Sequence, residues 1–515
     1  ILRRLFLITY FDTPPDYRTL FRCLRSIPYY FEGHTDQILI SLPPSKMKAG
    51  LLFRDPTSAA IFVHFLSLPS SLSFRPSSFP SLRHLRMSSP LRSSAVDVEA
   101  APSWLSSVPQ GPPDAILGIA AAYRACDHPD RVNVCVGAYR DDDGKPWVLP
   151  SVRTAEKIMA ADASEDKEYL PIDGDAAYLK LALEFAYGAV GYDTSTTASV
   201  QSLSGTGACR VGAAFLAKFA PKVSADGTKP LILIPDPTWG NHFAIFGNAG
   251  CDTRTYRYYD RKTNRLDFEG MLEDLAAAPK GSVVLLHACA HNPTGCDPTA
   301  EQWKTISDTI LDRGLQVFFD SAYQGFASGD AERDASALRS FVAAGHRGLL
   351  LAQSFAKNFG LYGERVGTLS LLCSSPEEKA AVQSQLKLVV RPMYSSPPRH
   401  GSSVVKTVLS DEKLRAQYYG ECRFMAERIG EMRGLLVEKL GEAGSTQDWS
   451  HVTEQIGMFA YTGMSAEMVE ELTDKYYIFL TKDGRISLAG LNPGNVEYVA
   501  KAIHAVTEGK SITQN

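Results

Sequence analysis

The chain lacks what would make it fibrous, disulfide-stapled or membrane-spanning. Nine cysteines are scattered over 515 residues with no Cys-x-x-Cys pair, which excludes the disulfide framework of a small secreted domain and favours a reducing compartment. Charge nearly cancels, 53 Lys+Arg against 57 Asp+Glu, net −4, and a dedicated nucleic-acid binder needs a basic surface. There is no internal repeat, so solenoids and propellers are excluded. No segment approaches the run of about 20 apolar residues that spans a bilayer. What remains, 44% hydrophobic and 21% charged, is ordinary globular composition. The length suits one large α/β enzyme with an appended domain or, counted naively, about three to four average domains.

One absence divides the chain. From Pro56 to Val96 there is no Asp, Glu or Lys, while serine occurs twelve times and arginine four times (Arg75, Arg83, Arg86, Arg92). Residues 1–96 hold 12 basic and 5 acidic residues, net +7, and residues 97–515 hold 41 and 52, net −11. An Arg- and Ser-rich, acid-poor front is the composition of an organellar transit peptide. Residues 1–103 are therefore expected to be a leader, with a mitochondrial or plastid destination, or else an extension ahead of a true start at Met87, which leaves the protein in the cytoplasm. The apolar run Ser58 to Leu68 suits a signal-peptide core and is too short to cross a membrane.

Beyond Trp104, short apolar runs alternate with helical patterns. Pro230 to Pro235, Val283 to Ala290, Gln316 to Asp320, Gly348 to Gln353 and Val366 to Cys373 are bounded by Gly, Pro or charge. Such alternation predicts an α/β fold with a mostly parallel, buried sheet flanked by helices. Ligands of such sheets sit at the strands' carboxyl ends. From Ser410, a plausible N-cap, Leu414, Tyr418, Cys422, Met425, Ile429, Met432, Leu436 and Leu440 recur every three or four residues up to the stop signal Gly444, predicting one long helix. The segment after it reads as a smaller α+β lobe.

Chemistry concentrates in a few motifs. In Ser354-Phe355-Ala356-Lys357-Asn358, a lysine follows an apolar strand. An isolated lysine is usually a solvated surface residue, but one partly desolvated at a strand end has a lowered pKa and becomes a Schiff-base nucleophile. Ser354 and Arg365 bracket it with groups suited to a phosphate. Ser204-Gly205-Thr206-Gly207-Ala208 opens a helical pattern, where N–H groups and hydroxyls take phosphate. A dinucleotide fingerprint fails there because Arg210 stands where its third glycine belongs. Asp320 ends a strand and needs a cationic partner when buried; a pyridinium nitrogen is one, and capping of the next helix is the simpler alternative. His287, Cys289 and His291 would alternate onto one strand face, yet no second cluster completes a tetrahedral site, so no metal is expected.

Together with Gly137-Ala138-Tyr139-Arg140-Asp141, Tyr169-Leu170-Pro171, Pro237-Thr238-Trp239-Gly240-Asn241-His242, Arg391-Pro392-Met393-Tyr394 and Thr481-Lys482-Asp483-Gly484-Arg485-Ile486-Ser487, these motifs resemble the aspartate aminotransferases, class I enzymes of the fold-type I pyridoxal-phosphate family. The resemblance runs collinearly from about Trp104 to about Thr507. It implies a large cofactor domain at 148–424, a small domain from 104–147 and 425–509, a tail at 510–515, and a homodimer with shared active sites. Pyridoxal 5'-phosphate would be held covalently by Lys357, which would also move the substrate's Cα proton. Asp320 would pair the ring nitrogen, Tyr323 and Asn292 the ring hydroxyl, and Trp239 would stack on the ring. Ser204, Gly205, Thr206, Ser354 and Arg365 would hold the phosphate with Tyr169 of the neighbouring subunit. Arg485 would clamp the substrate's α-carboxylate and Arg391, from the partner chain, its side-chain carboxylate, with Gly137 lining the site. Two planar forks favour dicarboxylates.

The implied reaction is ping-pong transfer of the amino group of L-aspartate to 2-oxoglutarate, giving oxaloacetate and L-glutamate. An aromatic-accepting aminotransferase of the same fold is the alternative, and a pyridoxal-phosphate lyase or decarboxylase a further one that has no need of Arg391. Two positions depart from the family pattern: Ser396, where relatives usually carry Asn, and Asp173, an added carboxylate near Tyr169 that would weaken ligand binding if it points inward.

Overall fold

The computed structural model describes residues 103–512 apart from 113, 115, 189, 190 and 511, and ahead of them only the backbone of Leu39–Ile40 and Ile61–Phe62. The leader, the rest of the run Ser58 to Leu68 and Met87 lie outside the described residues. The chain divides into two units, 1–105 and 106–515. In the first, Leu39–Ile40 pairs antiparallel with Ile61–Phe62.

The second unit is built on seven strands: β1 (Thr197–Leu203), β2 (Leu231–Asp236), β3 (Asp252–Arg257), β4 (Val283–His287), β5 (Gln316–Ser321), β6 (Leu350–Ser354) and β7 (Val366–Leu372). Their order is β1-β7-β6-β5-β4-β2-β3, and only β7 runs against its neighbours. Every residue of β4, β6 and β7 is buried, as expected of a sheet covered on both faces. All five predicted apolar runs are strands here. Two strands carry no such run. Thr197–Leu203 is polar yet buried, its Gln201 and Ser202 fully covered, and the edge strand Asp252–Arg257 keeps charges on its open side.

Helix α1 (Ser204–Phe219) leaves β1 without a break, α2 (His400–Ser410) comes later, and α3 (Glu412–Glu442) is the long helix. The cap of α3 is Asp411, whose carboxylate accepts from Leu414 N–H at 2.9 Å, rather than Ser410, which ends α2. Carboxylate and hydroxyl caps are nearly equivalent in sequence, and here Ser410 is taken up as the last residue of α2. Its predicted apolar stripe from Leu414 to Leu440 is buried throughout. Beyond it, β8 (Phe459–Tyr461) pairs antiparallel with β9 (Arg485–Ser487), and Ile478–Phe479 pairs with Val132–Asn133. No helix among the described residues is long and apolar enough to cross a membrane.

Candidate active site

The carboxyl ends of β1, β2, β4, β5 and β6 open on one cavity of about 140 Å³, lined by Ser204, Gly205, Thr206, Trp239, Asn292, Asp320, Tyr323, Ser354, Lys357 and Arg365, and also by His287, Cys289 and Tyr362. Ten positions drawn from five stretches of sequence thus converge, as the crevice of an open α/β sheet requires.

Each wall has a local cause. Helix α1 begins at Ser204 with no side chain capping its first turn, so its N–H groups face the cavity and favour an anion. Ser204 holds φ +60 there, and its hydroxyl meets that of Ser354 at 2.9 Å. Arg365, the exposed rim of the same wall, is fixed by Nη1 donating to the Tyr362 carbonyl at 3.0 Å.

Lys357 enters from the turn after β6, its Nζ 5.3 Å from the centre of the Tyr323 ring. Burial lowers its pKa; the Asp320 carboxylate opposes that shift, and Arg365 and Arg485 reinforce it. The Tyr323 hydroxyl is buried without a hydrogen-bond partner, and such an atom points to a ligand group.

Asp320 is the end of a directed chain. The backbone N–H of Asn292 donates to His287 Nδ1 at 3.0 Å, which puts the His287 proton on Nε2, facing Thr238 Oγ1 at 3.3 Å. The Thr238 hydroxyl must then donate to His242 Nδ1, 2.9 Å away, and His242 Nε2–H donates to Asp320 Oδ2 at 3.2 Å. A single backbone amide fixes every tautomer in the row. Burial holds His287 neutral, its pKa lowered to about 3. Burial also pushes the Asp320 carboxyl up, but the His242 hydrogen bond, together with the neighbouring His287 and Lys357, outweighs that, and the net shift is downward.

Beside Asn292, Arg485 is buried with its guanidinium 4.2 Å over the Phe459 ring. It donates to the Cys135 carbonyl at 3.1 Å and to Asn292 Oδ1 at 3.4 Å. Gly137 lies against the same ring, where a Cβ would come within 2.6 Å of it. Tyr169, 85% exposed, and Arg391, exposed and bound to Ser395 Oγ at 2.6 Å, are not brought to this cavity by their own chain.

Asp173 does not point into the site: it pairs with Lys387 at 2.8 Å, so its expected interference does not arise. β4 ends at His287, so His287, Cys289 and His291 do not share a strand face. Sequence reasoning left Thr238, His242 and Tyr362 without roles, although the first two stand inside a motif it singled out and Tyr362 lies between Lys357 and Arg365. Tyr362 accepts from the Tyr139 N–H at 2.8 Å, tying the Gly137 loop to the lysine loop.

The chain matches the family model "Aminotransferase class I and II" over residues 129–503. It is 50% identical over 408 residues to the mitochondrial aspartate aminotransferase of Dictyostelium discoideum, covering 79% of this chain and 94% of that one. Among solved structures, the cytoplasmic aspartate aminotransferase of Saccharomyces cerevisiae matches with a TM-score of 0.76 and 42% identity, covering 79% of this chain and 99% of that one. An aromatic-amino-acid aminotransferase of Burkholderia pseudomallei, covalently bound to pyridoxal phosphate, matches at 0.74 and 42%, covering 78% and 99%. With the lysine, the aspartate and the phosphate-type helix start assembled in one cavity, and family agreement across most of its length, the chain belongs to the class I and II aminotransferases.

Proposed function

We propose that the chain transfers the amino group of L-aspartate to 2-oxoglutarate, giving oxaloacetate and L-glutamate, with pyridoxal 5'-phosphate as cofactor. The observation that carries this reading is the one cavity that gathers Lys357, Asp320 and Asn292, with the buried Arg485 fork bound to Asn292. The residues fit the cofactor. Tyr323 offers an orphaned hydroxyl to its ring oxygen, Asp320 a carboxylate to its ring nitrogen, and α1 an uncapped N-terminus, with Ser204, Thr206, Ser354 and Arg365, to its phosphate. When bound, the cofactor supplies the electron sink for cleavage at the substrate's Cα.

The chain's own residues do the rest. Asp320, kept anionic through His242, holds the proton on the ring nitrogen. Lys357 Nζ, once displaced from the cofactor by substrate, would take the proton from Cα and deliver it to the cofactor's C4′ carbon, a task suited to its lowered pKa. Arg485 orients the α-carboxylate so that the Cα–H bond faces Lys357. Tyr169 and Arg391 stand exposed and away from the cavity, which supports the reading that each serves the partner's site in a homodimer. Pairing of Val132–Asn133 with Ile478–Phe479 supports a small lobe made from 104–147 and 425–509 beside a cofactor lobe at 148–424. The basic leader supports import into an organelle, and the mitochondrial relative favours the mitochondrion.

An aromatic-accepting enzyme is the second reading, favoured by the Burkholderia relative. Activity on aspartate and on phenylalanine, each with 2-oxoglutarate, separates them: aspartate is expected to win, and a preference for phenylalanine refutes the dicarboxylate assignment. Lys357→Ala should lower turnover by roughly 10³-fold or more and abolish the pH-sensitive cofactor absorbance.

A further inference from the structure

Two arginines of α3 are buried, and they are held differently. Arg428 pairs with Asp142 at 2.8 Å. Arg433, 4% exposed, has no carboxylate in an ion pair among the described residues. Its Nη1 donates to the Val452 carbonyl at 2.6 Å, and its Nη2 to the carbonyls of Gly457 at 2.8 Å and Phe459 at 2.5 Å. A buried guanidinium without an anion is costly, and an apolar side chain of the same volume would usually fill such a place at less cost. Burial lowers even this arginine's pKa, to about 10. Core packing therefore does not account for it.

What it holds is the segment on which the substrate wall leans. The Phe459 ring lies under the Arg485 guanidinium and against Gly137. The turn that carries Asn292 rests on the same backbone. Ile456 N–H donates to the Gly295 carbonyl at 2.9 Å, and a Cβ on Gly295 would come within 2.8 Å of the Ile456 oxygen and 3.1 Å of the Phe459 oxygen. Gly457 abuts Ala290 so closely that it has no room for a Cβ. Three carbonyls fixed by one planar fork thus set the ring, and through it the arginine and the turn.

We propose that Arg433 is a positioning residue for recognition of the substrate's α-carboxylate: from the long helix it fixes the carbonyls behind Phe459, and so the place of Arg485 and Asn292. This rests on the reading of Arg485 as the α-carboxylate fork. Arg433 touches neither substrate nor cofactor, and its effect falls first on the α-carboxylate because it binds the carbonyls behind Phe459 and none of the elements that carry Lys357, Asp320, Tyr323 and the phosphate groups.

The test is a single-turnover half-reaction of the holoenzyme, followed by cofactor absorbance, with aspartate and with 3-aminopropanoate, which is aspartate without its α-carboxylate. Arg433→Met should lower the aspartate to 3-aminopropanoate rate ratio roughly tenfold, and Arg433→Lys roughly threefold, while 3-aminopropanoate stays within about twofold and cofactor occupancy is unchanged. An unchanged ratio, or an equal fall for both amines, overturns the proposal. Arg485→Lys is the control. If it too leaves the ratio unchanged, the fork reading itself fails; if it collapses the ratio while the Arg433 variants keep it, only the role of Arg433 fails. Should Arg433→Met not accumulate, Arg433→Lys and Phe459→Leu, which removes the ring the clamp holds, are read in the same way, and an unchanged ratio in them is equally fatal.

Discussion

Asp320 and the pair Asp297 and Asp334 are carboxylates drawn from water around one site, yet burial ends differently for them. Asp297 accepts from the Ala290 and His291 N–H groups at 2.6 and 2.9 Å, and Asp334 from those of Gly325, Ala327 and Ser328 at 2.9 to 3.2 Å. Burial still pushes each up to about 6. Asp320 has an imidazole N–H and the nearby Lys357 in place of amides, and its pKa goes down. Backbone donors alone do not hold a buried carboxylate charged against desolvation; positive neighbours do. The first kind of aspartate shapes the turns that carry Asn292 and follow Tyr323, and the second does chemistry.

The sharpest way to break this distinction is Asp320→Asn, which keeps shape and removes charge. Turnover of aspartate should fall about 10³-fold, because a neutral amide does not hold a proton on the cofactor's ring nitrogen. Steady-state kcat with cofactor occupancy checked by absorbance measures it. A variant within tenfold of the parent would place Asp320 with the turn-shaping aspartates.

Asp320 was legible because a charge ends the apolar run Val317 to Phe319, and Lys357 because it follows another such run. The long helix was legible because its apolar spacing, from Leu414 to Leu440, runs through most of its 31 residues. Strand Thr197–Leu203 was not, since its burial comes from two neighbouring layers and not from its own polar composition. Thr238 and His242 act through partners 49 and 78 residues away, and Arg433 and Asp297 bind backbone groups, which any sequence supplies. No side-chain pattern announces such contacts. Tyr169 and Arg391 carried a signal only through family resemblance.

Asp297→Asn probes the other side of the comparison. A native pKa of about 6 against about 3.9 unfolded means that the native state holds more protons between those values. The contribution of Asp297 is therefore fully present below pH 4 and is lost as pH rises through 6, by about 2–3 kcal/mol. Removing the carboxyl should flatten the fall in stability between pH 4 and 6.5 by that amount, measured by denaturant unfolding. It should also slow turnover, since the turn bearing Asn292 loses an acceptor. A variant whose stability falls across that window as steeply as the parent's contradicts the assignment.

Thr238→Val is the mildest cut, leaving all three ionisable groups in place and deleting only the hydroxyl that passes direction along the row. Without it, His242 is free to carry its proton on Nδ1, which turns a lone pair on Nε2 toward the Asp320 carboxylate. The aspartate then loses its best donor in part of the population, and its pKa moves back toward the value burial alone would set. Turnover should fall roughly three- to tenfold, and the acid limb of the kcat/KM profile should shift to higher pH. A profile superimposable on the parent's would mean that Asp320 is kept charged by His242 and Lys357 regardless of the tautomer chain. The contrast with Asp297 would then rest on neighbouring charge alone.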